Sequence, residues 1–466
     1  MNIFRAQNLN SLLERTKESK KRILGVWDLI LMSIGAVIGT GVMVLTGVVA
    51  AKDAGPSVCI SFIGAGITCM LVVLCYAELA SSVPSAGGSY SFAYISLGEI
   101  FGYIVGLCVV IGYILCIATV ASGWSAYFTE LLNLMGLHIP DLFTKLPSEG
   151  GITDVPAILS VLAVTFVLSR GTSESKKVND IMVIVKLLVI LVFIIVGAFF
   201  INTENWHPFM PYGVNGVWVG TASVFFAYTG FDATASAAEE VKNPEKALPI
   251  GLIVSLAVCT IIYVIVSLVL TGMVHYLNLN VGDALSYALN TVHMTWAGSV
   301  VSVGAIVGIL AVMFANQYAG SRVLNTMSRD KLIPKIFSKK NKKSVPMFSL
   351  SGIAIIAVLL AGFIDLSSLA NIANACFLII YLLVSLSVIG LRLRYPINKG
   401  KFKTPFFPLI PILASASCIF LMVYISGIIW MYFSIILILI VVSYFLYGYK
   451  NSLLTEEVKE LNENLN

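Results

Sequence analysis

The sequence predicts an all-helical membrane protein with twelve transmembrane helices. Of its 466 residues, 58% are hydrophobic and 11% are charged, whereas a soluble domain carries about 25% charged residues. The apolar residues form long continuous runs and do not alternate with polar ones, which favours helices over a membrane barrel. Lysine and arginine concentrate in every second connection between the runs, as they do in cytoplasmic loops.

A helix needs about 20 apolar residues to cross the hydrocarbon core of a bilayer. The twelve predicted spans are approximately 25–50, 57–82, 98–130, 154–169, 179–201, 216–240, 247–274, 295–325, 346–364, 368–391, 405–427 and 429–449. Residues 1–24 are polar and basic, and the first apolar run is long and lacks a small-residue cleavage site. We therefore expect a cytoplasmic N-terminal segment and no cleavable signal peptide. Residues 25–450 form one transmembrane domain, and 451–466 form a polar cytoplasmic tail.

The 29 lysines and arginines set the predicted orientation. With the N-terminus inside, all but three of them fall on the cytoplasmic side of the twelve-span map. Lys52 and Lys145 face outside, and Lys186 lies within a span. A missed span would scramble this bias, so the bias supports both the span count and cytoplasmic placement of both termini. The net charge of +5 thus follows topology, and no basic stripe with interleaved aromatics indicates nucleic-acid binding.

No pattern in the sequence indicates a metal site, a cofactor or an enzyme. The eight cysteines lie in apolar stretches without a CxxC pair, so packed, reduced thiols are expected. A membrane enzyme would need a polar catalytic cluster in the spans. A channel, which is a distant alternative, would need a symmetric pore lined by rings of carbonyls or like charges.

Glycine-rich breaks are predicted at matching places in spans one and six. The first reads SIGAVIGTG over 33–41, and the second reads FFAYTGFD over 225–232. Span six follows span one by five helices, and an odd number inverts the second unit, as in the inverted repeats of transporters. Repeat one covers about 25–201 and repeat two about 214–394, with helices eleven and twelve, about 405–449, outside them. Gly-xxx-Gly packing between helices is the alternative explanation for the glycines.

A helix interrupted within the membrane offers two kinds of backbone group. The amide N–H groups and the dipole at the start of a half-helix suit an anion, while the carbonyls at the end of the other half suit a cation. An α-amino acid carries one charge of each sign. The breaks therefore match an amino acid better than a sugar or a simple ion, and they predict a transporter of amino acids.

The motifs around the breaks resemble those of amino acid–polyamine–organocation transporters. GAVIGTG in span one and PSAGGSY at 84–90 resemble motifs of that superfamily. FAYTGFD at 226–232, with EEVKNP at 239–244, is similar to span six of the cationic-amino-acid-transporter branch, and residues 321–324 and 328–330 are similar to the end of its span eight. The resemblance covers roughly residues 20–450. It implies the leucine-transporter fold and alternating access across the cytoplasmic (inner) membrane.

The resemblance also implies which residues bind the substrate. The carboxylate would meet the backbone of the first break, and the amino group would meet carbonyls of the second break, with an aromatic lid provided by Phe226. The seven expected substrate-binding residues are Ile38, Thr40, Gly41, Phe226, Ala227, Thr229 and Gly230. One position departs from the family: Gly112 stands where bacterial members often carry a glutamate in span three.

Two charged residues inside spans are candidates for proton coupling. An ionisable group in a span is a functional candidate, and proton-coupled relatives place a span-five lysine, here Lys186, where sodium-coupled relatives bind sodium. The alternative is that Lys186 snorkels to the membrane surface. Asp232 either joins the proton path, holds a helix end or is solvated in a vestibule. Glu78, Glu239 and Glu240 lie near cytoplasmic ends, where ion pairs are expected.

The expected partners are an amino acid substrate, protons and membrane lipids. Proton symport is the expected coupling mode, and exchange of amino acids or amines is the alternative.

Overall fold

The computed structural model describes residues 5–6, 24–395 and 402–455, without the side chains of 172–178. The predicted tail beyond residue 455 and most of the predicted N-terminal segment lie outside the described residues. Within the described ranges, the regular structure is helical apart from one isolated bridge between Leu24 and Val241. The predicted all-helical class is therefore confirmed for the described part of the chain.

Most of the α-helices follow the predicted apolar runs, and two short helices, Ser89–Ser96 and Ala284–Thr291, lie in predicted connections. In chain order they are α1 (Val26–Val37), α2 (Thr46–Val49), α3 (Val58–Ser82), α4 (Ser89–Ser96), α5 (Glu99–Leu134), α6 (Val155–Ser169), α7 (Thr172–Ala198), α8 (Gly213–Val224), α9 (Phe231–Ala235), α10 (Pro244–Met273), α11 (Ala284–Thr291), α12 (Thr295–Arg329), α13 (Met347–Phe363), α14 (Leu366–Arg394), α15 (Leu409–Val423), α16 (Gly427–Ser443) and α17 (Tyr449–Asn451). In the described residues, seven helical stretches are long and apolar enough to cross a membrane, and four shorter helices are also apolar.

Capping side chains explain several helix starts. Asp154 Oδ1 accepts a hydrogen bond from the Ala157 amide (3.0 Å) at the start of α6, and Asp365 Oδ1 accepts one from the Ser368 amide (2.9 Å) at the start of α14. Such carboxylates satisfy amides that have no partner within the helix. Helix α7 begins at Thr172, seven residues before the predicted span, because a helix can continue past the apolar run that contacts lipid.

The helices around the site pack closely. Helix α5 packs against α12 and α14, and α10 packs against α1 and α3. Helix α12 also packs against α7. Glycine allows this close approach, because a Cβ atom at Gly304 of α12 would overlap the Val189 side chain of α7. All eight cysteines are buried free thiols, as predicted. Exposed apolar side chains, such as Val423 of α15, lie on the outer helices, where lipid would cover them.

Three of the ion pairs among the described residues lie at one end of the helix bundle, which we call the ion-pair end. They join Arg5 to Glu99, Arg392 to Glu78, and Arg322 to Glu240. Arg392 donates to both carboxylate oxygens of Glu78 at 2.7 Å, and Glu239 accepts a hydrogen bond from the Ala86 amide at 2.9 Å. The ion pairs predicted for Glu78 and Glu240 are therefore present. The same end holds the start of α1 and the C-terminal ends of α3, α12 and α14.

Candidate functional site

The first helix break follows α1. That helix ends at Val37, and Ile38 is extended (φ −76°, ψ 111°) while its amide still donates to the Ile34 carbonyl at 2.9 Å. Helical structure resumes in a π-helical turn, Gly41–Leu45, which leads into α2. The last carbonyls of α1 and the first amides of the following half therefore lie in the interior, without partners in their own helix.

The second helix break lies between α8 and α9. After Val224 the chain tightens into a 3₁₀ turn, Phe225–Tyr228, and Thr229 is extended. Gly230 then takes φ +109°, a backbone conformation that glycine adopts without strain, and α9 begins at the next residue. The glycine-rich sequence thus breaks the helix where it was predicted to.

The two breaks touch, and the order of their contacts shows that the two spans are antiparallel. A Cβ atom at Gly41 would lie 2.4 Å from the Ala227 Cα atom, and one at Gly230 would lie 2.7 Å from the Ala36 carbonyl oxygen. Gly41, on the C-terminal side of the first break, thus contacts Ala227 on the N-terminal side of the second. Gly230, on the C-terminal side of the second break, contacts Ala36 on the N-terminal side of the first. Neither glycine has space for a side chain.

Other glycines of the first break also serve helix packing, which was the alternative explanation. A Cβ atom at Gly35 would lie 2.7 Å from Val183 Cγ2 of α7, and one at Gly39 would lie 2.6 Å from Val312 Cγ2 of α12. Close packing and helix interruption therefore occur together, on different glycines of one motif.

Lys186 of α7 reaches the carbonyl groups of the first break. Its Nζ donates to the Gly35 and Ile38 carbonyl oxygens, at 2.6 Å each, and the residue is 0% exposed. The snorkelling alternative is therefore wrong. The carbonyl end of a helix attracts a cation, so α1 supplies a reason for this amine to remain in the interior.

Two residues that were not predicted from the sequence also hydrogen-bond to carbonyls at the breaks. Tyr263 Oη of α10 lies 2.9 Å from the Val37 carbonyl oxygen and 2.8 Å from that of Ala227, so one hydroxyl joins both breaks. Asn374 Nδ2 of α14 donates to the Ala222 carbonyl at 3.0 Å, just before the second break. No local sequence pattern links either residue to a glycine run so distant in the chain.

The predicted substrate-binding groups differ in what they already contact. The Phe226 carbonyl accepts hydrogen bonds from the Thr229 amide (3.1 Å) and hydroxyl (2.7 Å), so both its lone pairs are used in this conformation. The amide of Ile38 is likewise used within α1. By contrast, the buried hydroxyl of Thr40 has no hydrogen-bond partner within the described part of the chain. Thr40 and Gly41 begin a half-helix, where amides remain available to a ligand.

Asp232, in the first turn of α9, is 1% exposed and therefore not solvated. Its carboxylate accepts hydrogen bonds from the hydroxyls of Tyr113 of α5 (2.7 Å) and Tyr381 of α14 (3.3 Å). It links the second break to two central helices. At neighbouring Gly112, a Cβ atom would lie 3.1 Å from the Phe377 ring, so this position has little space for a longer side chain.

A cavity of about 240 Å³ lies at the end of the bundle opposite the ion-pair end. Its walls come from residues 45–53 after the first break, the end of α8, the start of α14 and the 424–426 connection before α16. The half-helices that meet at the breaks therefore continue into the cavity walls.

Comparisons with known proteins agree with the motifs. The amino acid permease family model matches residues 24–445. The methylthioribose transporter of Bacillus subtilis is 44% identical over 458 residues, covering 97% of this chain and 99% of that protein, and the branched-chain amino acid permease BcaP of the same organism is 41% identical over 462 residues with the same coverage. The chloroplastic cationic amino acid transporter 9 of Arabidopsis thaliana is 40% identical over 335 residues, covering 69% of this chain and 58% of that protein.

These relatives are named as transporters or permeases and not as enzymes. The family model extends from the start of α1 to the last membrane helix, and two relatives match nearly end to end. This multi-pass membrane protein therefore belongs to the amino acid permease family, within the amino acid–polyamine–organocation superfamily.

Proposed function

We propose that this protein is a secondary active transporter that carries amino acids across the cytoplasmic membrane by alternating access. The observation that carries the proposal is the antiparallel crossing of two helix breaks in the interior. There, the amides of one half-helix and the carbonyls of the other converge beside the unpartnered hydroxyl of Thr40. An amino acid would supply the carboxylate and the ammonium that these groups complement.

The proposed architecture is the leucine-transporter fold, with twelve spans and a 5+5 inverted repeat. Two observations support it. Helical structure lies within each of the twelve predicted ranges, and the contacts of the two broken spans run in opposite order, as inversion of one repeat requires. Helices α15 and α16 would be additions outside the repeats.

We place the ion-pair end and both termini in the cytoplasm, because basic residues favour that side. A cysteine in place of Ser148, which is exposed between α5 and α6, is then expected to react with a membrane-impermeant maleimide in intact cells. A cysteine in place of Lys339, exposed between α12 and α13, should react only after permeabilisation. The buried native cysteines keep the background low, and the reverse labelling pattern would invert the topology.

The proposed substrate is a neutral amino acid with an apolar side chain, with branched-chain amino acids as the first to test. Both carboxylate oxygens of Asp232 already accept hydrogen bonds from tyrosine hydroxyls. This carboxylate therefore does not need the cationic side chain of a substrate as a partner. A nearly full-length relative is named a branched-chain amino acid permease. A lysine or arginine substrate would need a different counter-charge beside the breaks.

The proposed coupling mode is proton symport through Lys186, with exchange as the alternative. A neutral amine has two N–H donors and an ammonium has three. Lys186 can therefore keep its bonds to the Gly35 and Ile38 carbonyls in either protonation state. Loss and return of one proton would change the charge at the end of α1 while the hydrogen bonds from Lys186 to the α1 carbonyls remain. Asp232 is the second proposed member of the proton path.

Methylthioribose is the second candidate substrate, since the transporter named for it is 44% identical over nearly the whole chain. This sugar has a thioether but no α-amino or carboxylate group. Its binding would leave the amides and carbonyls of the breaks without charged partners.

A ligand screen followed by uptake measurements tests the proposal. Purified protein would be screened for thermal stabilisation by the twenty amino acids and by methylthioribose, and each ligand found would be tested in sodium-free proteoliposomes with an inward proton gradient. We expect stabilisation and gradient-driven uptake of leucine, isoleucine or valine. Stabilisation by methylthioribose alone would replace the amino acid assignment, and uptake that requires a counter-substrate but no gradient would replace symport by exchange.

A further inference from the structure

The cavity opposite the ion-pair end is close to the helix breaks but separate from them. On its first wall, Leu45 lies four residues beyond Gly41, which is about 6 Å along a helix. On its second wall, Ser223 lies three residues before Phe226. The cavity therefore lies about one helical turn from the breaks, on the same helical segments.

The cavity has a charge of each sign in its wall. Lys52 and Asp53 both line it, Lys52 being exposed and Asp53 partly buried. Asp53 Oδ2 accepts a hydrogen bond from Ser223 Oγ at 3.1 Å. Within the described residues, no lysine or arginine forms an ion pair with Asp53. Adjacent residues of a helical turn do not face each other, so the two charges form no direct ion pair, although the Lys52 ammonium is close enough to attract the Asp53 carboxylate.

We propose that this cavity, with Lys52 and Asp53, is a vestibule site that binds the α-amino acid before it reaches the helix breaks. The Asp53 carboxylate binds the α-ammonium group, and Lys52 attracts the α-carboxylate. The inference rests on the proposed function, because it takes an amino acid as the ligand and the cavity end as the outer end.

The size and composition of the cavity fit such a ligand. Its 240 Å³ gives room for about eight water molecules at roughly 30 Å³ each, which is enough for a small amino acid and a few waters. Asn371 of α14 and Ser426 of the last connection add polar groups on the facing walls. Opposite charges in a cleft raise the local concentration of a complementary ligand and speed its association.

The test compares uptake kinetics of two charge-removing variants with those of a matched pair. Asp53→Asn removes the charge but keeps an oxygen that accepts from Ser223, and Lys52→Met removes the ammonium. The controls are Asp141→Asn and Lys145→Met, because these residues form an exposed ion pair outside the cavity lining. We expect each cavity variant to raise KM for uptake about tenfold, which is the loss of about 1.4 kcal/mol, with the maximal rate unchanged.

Inhibitors that carry one charge separate the two roles. In wild-type protein, both a short alkylamine and a short carboxylic acid should inhibit uptake from the cavity side. Asp53→Asn should lose inhibition by the amine and keep inhibition by the acid, and Lys52→Met should show the reverse. Both effects should weaken at high salt, because these charges are partly exposed.

The outcomes distinguish this inference from the proposed function. If wild-type protein transports amino acids but both cavity variants keep its KM and its inhibition pattern, the vestibule site is refuted and the transporter stands. A lower maximal rate with an unchanged KM would make Asp53 a gating residue and would also refute it. If wild-type protein binds and carries no amino acid, the proposed function itself fails.

Discussion

The two helix breaks differ in the side chains that hydrogen-bond to their buried carbonyl groups. At the first break, the freed carbonyls of Gly35 and Ile38 meet an amine that can carry a charge, Lys186. At the second, the carbonyls of Ala222 and Ala227 meet a neutral amide and a neutral hydroxyl, from Asn374 and Tyr263. At each break, these two buried carbonyls are hydrogen-bonded, as is usual for buried polar groups. Only the first break does so with a group that can gain or lose a proton.

This difference assigns separate roles to the breaks. A neutral donor fixes geometry at every pH, whereas an amine holds its helix end with a strength that depends on protonation. We therefore expect variants of Lys186 to change coupling, and variants of the neutral donors Asn374 and Tyr263 to change stability or affinity. The shared hydroxyl of Tyr263 should affect both breaks.

The largest expected effect is at Lys186. Lys186→Met keeps the volume but removes the donor, and it should abolish gradient-driven accumulation in sodium-free proteoliposomes while leaving some exchange. Lys186→Ala should behave alike, and Lys186→Arg should also fail, because a guanidinium does not release its proton. Lys145→Ala, at an exposed lysine, is the control and should accumulate substrate normally.

One result would contradict this role of Lys186, and another would not decide it. Equal accumulation by wild type and Lys186→Met would remove Lys186 from the coupling mechanism. Failure of Lys186→Arg alone would carry little weight, because Lys186 is fully buried and packs against Gly308 of α12, so a bulkier guanidinium would also disturb the packing.

The next largest effect is expected where the breaks touch. Gly41→Ala would place a Cβ atom 2.4 Å from the backbone of Ala227, and Gly230→Ala would combine positive φ with a 2.7 Å approach to a carbonyl oxygen. Both should reduce substrate affinity by more than a hundredfold in equilibrium binding. Gly352→Ala in α13 is the control, since its Cβ atom would meet only Phe337 at 3.8 Å. Monodisperse Gly41→Ala and Gly230→Ala proteins with wild-type affinity would disprove a binding role for the breaks.

A smaller effect is expected for Tyr263→Phe. The change leaves two buried carbonyl groups without their shared donor, so the free energy of unfolding should fall by about 1–3 kcal/mol. Substrate affinity should fall about tenfold as the two breaks separate. Tyr212→Phe is the control, because the Tyr212 hydroxyl donates to the Ala51 carbonyl (2.6 Å) at a partly exposed site, where water can replace it. If both variants lose equal stability, the bridging role of Tyr263 is wrong.

The smallest effect is expected for Asn374, which contacts the second break only. Asn374→Ala should lower the free energy of unfolding by about 1–2 kcal/mol and leave the dependence of uptake on the proton gradient intact. Asn374→Asp should lower the free energy of unfolding more than Asn374→Ala does if the new side chain is ionised, because a carboxylate cannot donate to the Ala222 carbonyl. Thermal melting with parallel uptake measurements separates the two, and a loss of gradient dependence in either variant would break the proposed division of roles.

The sequence predicted those parts of the site that depend on local backbone chemistry. Glycine runs inside apolar spans indicated both breaks, and Lys186 was recognisable as an ionisable group in an apolar run. Tyr263 and Asn374 were not predictable, because each looks like an ordinary polar residue of an apolar helix until tertiary packing brings it to a distant break. The same limit applies to α4 and α11, short helices within predicted connections, which pack against α5 and α12 respectively.

Arg5 has a consequence for how this protein is prepared. Its guanidinium donates to both carboxylate oxygens of Glu99, at 3.0 and 2.8 Å, and to the hydroxyl of Ser452 at 2.9 Å. Glu99 is 0% exposed, and a buried carboxylate that loses its cation costs about 3–5 kcal/mol. A purification tag or truncation that displaces Arg5 would therefore lower the melting temperature of the sample before any transport is measured. For this chain, the position of an affinity tag therefore affects the stability of the purified protein.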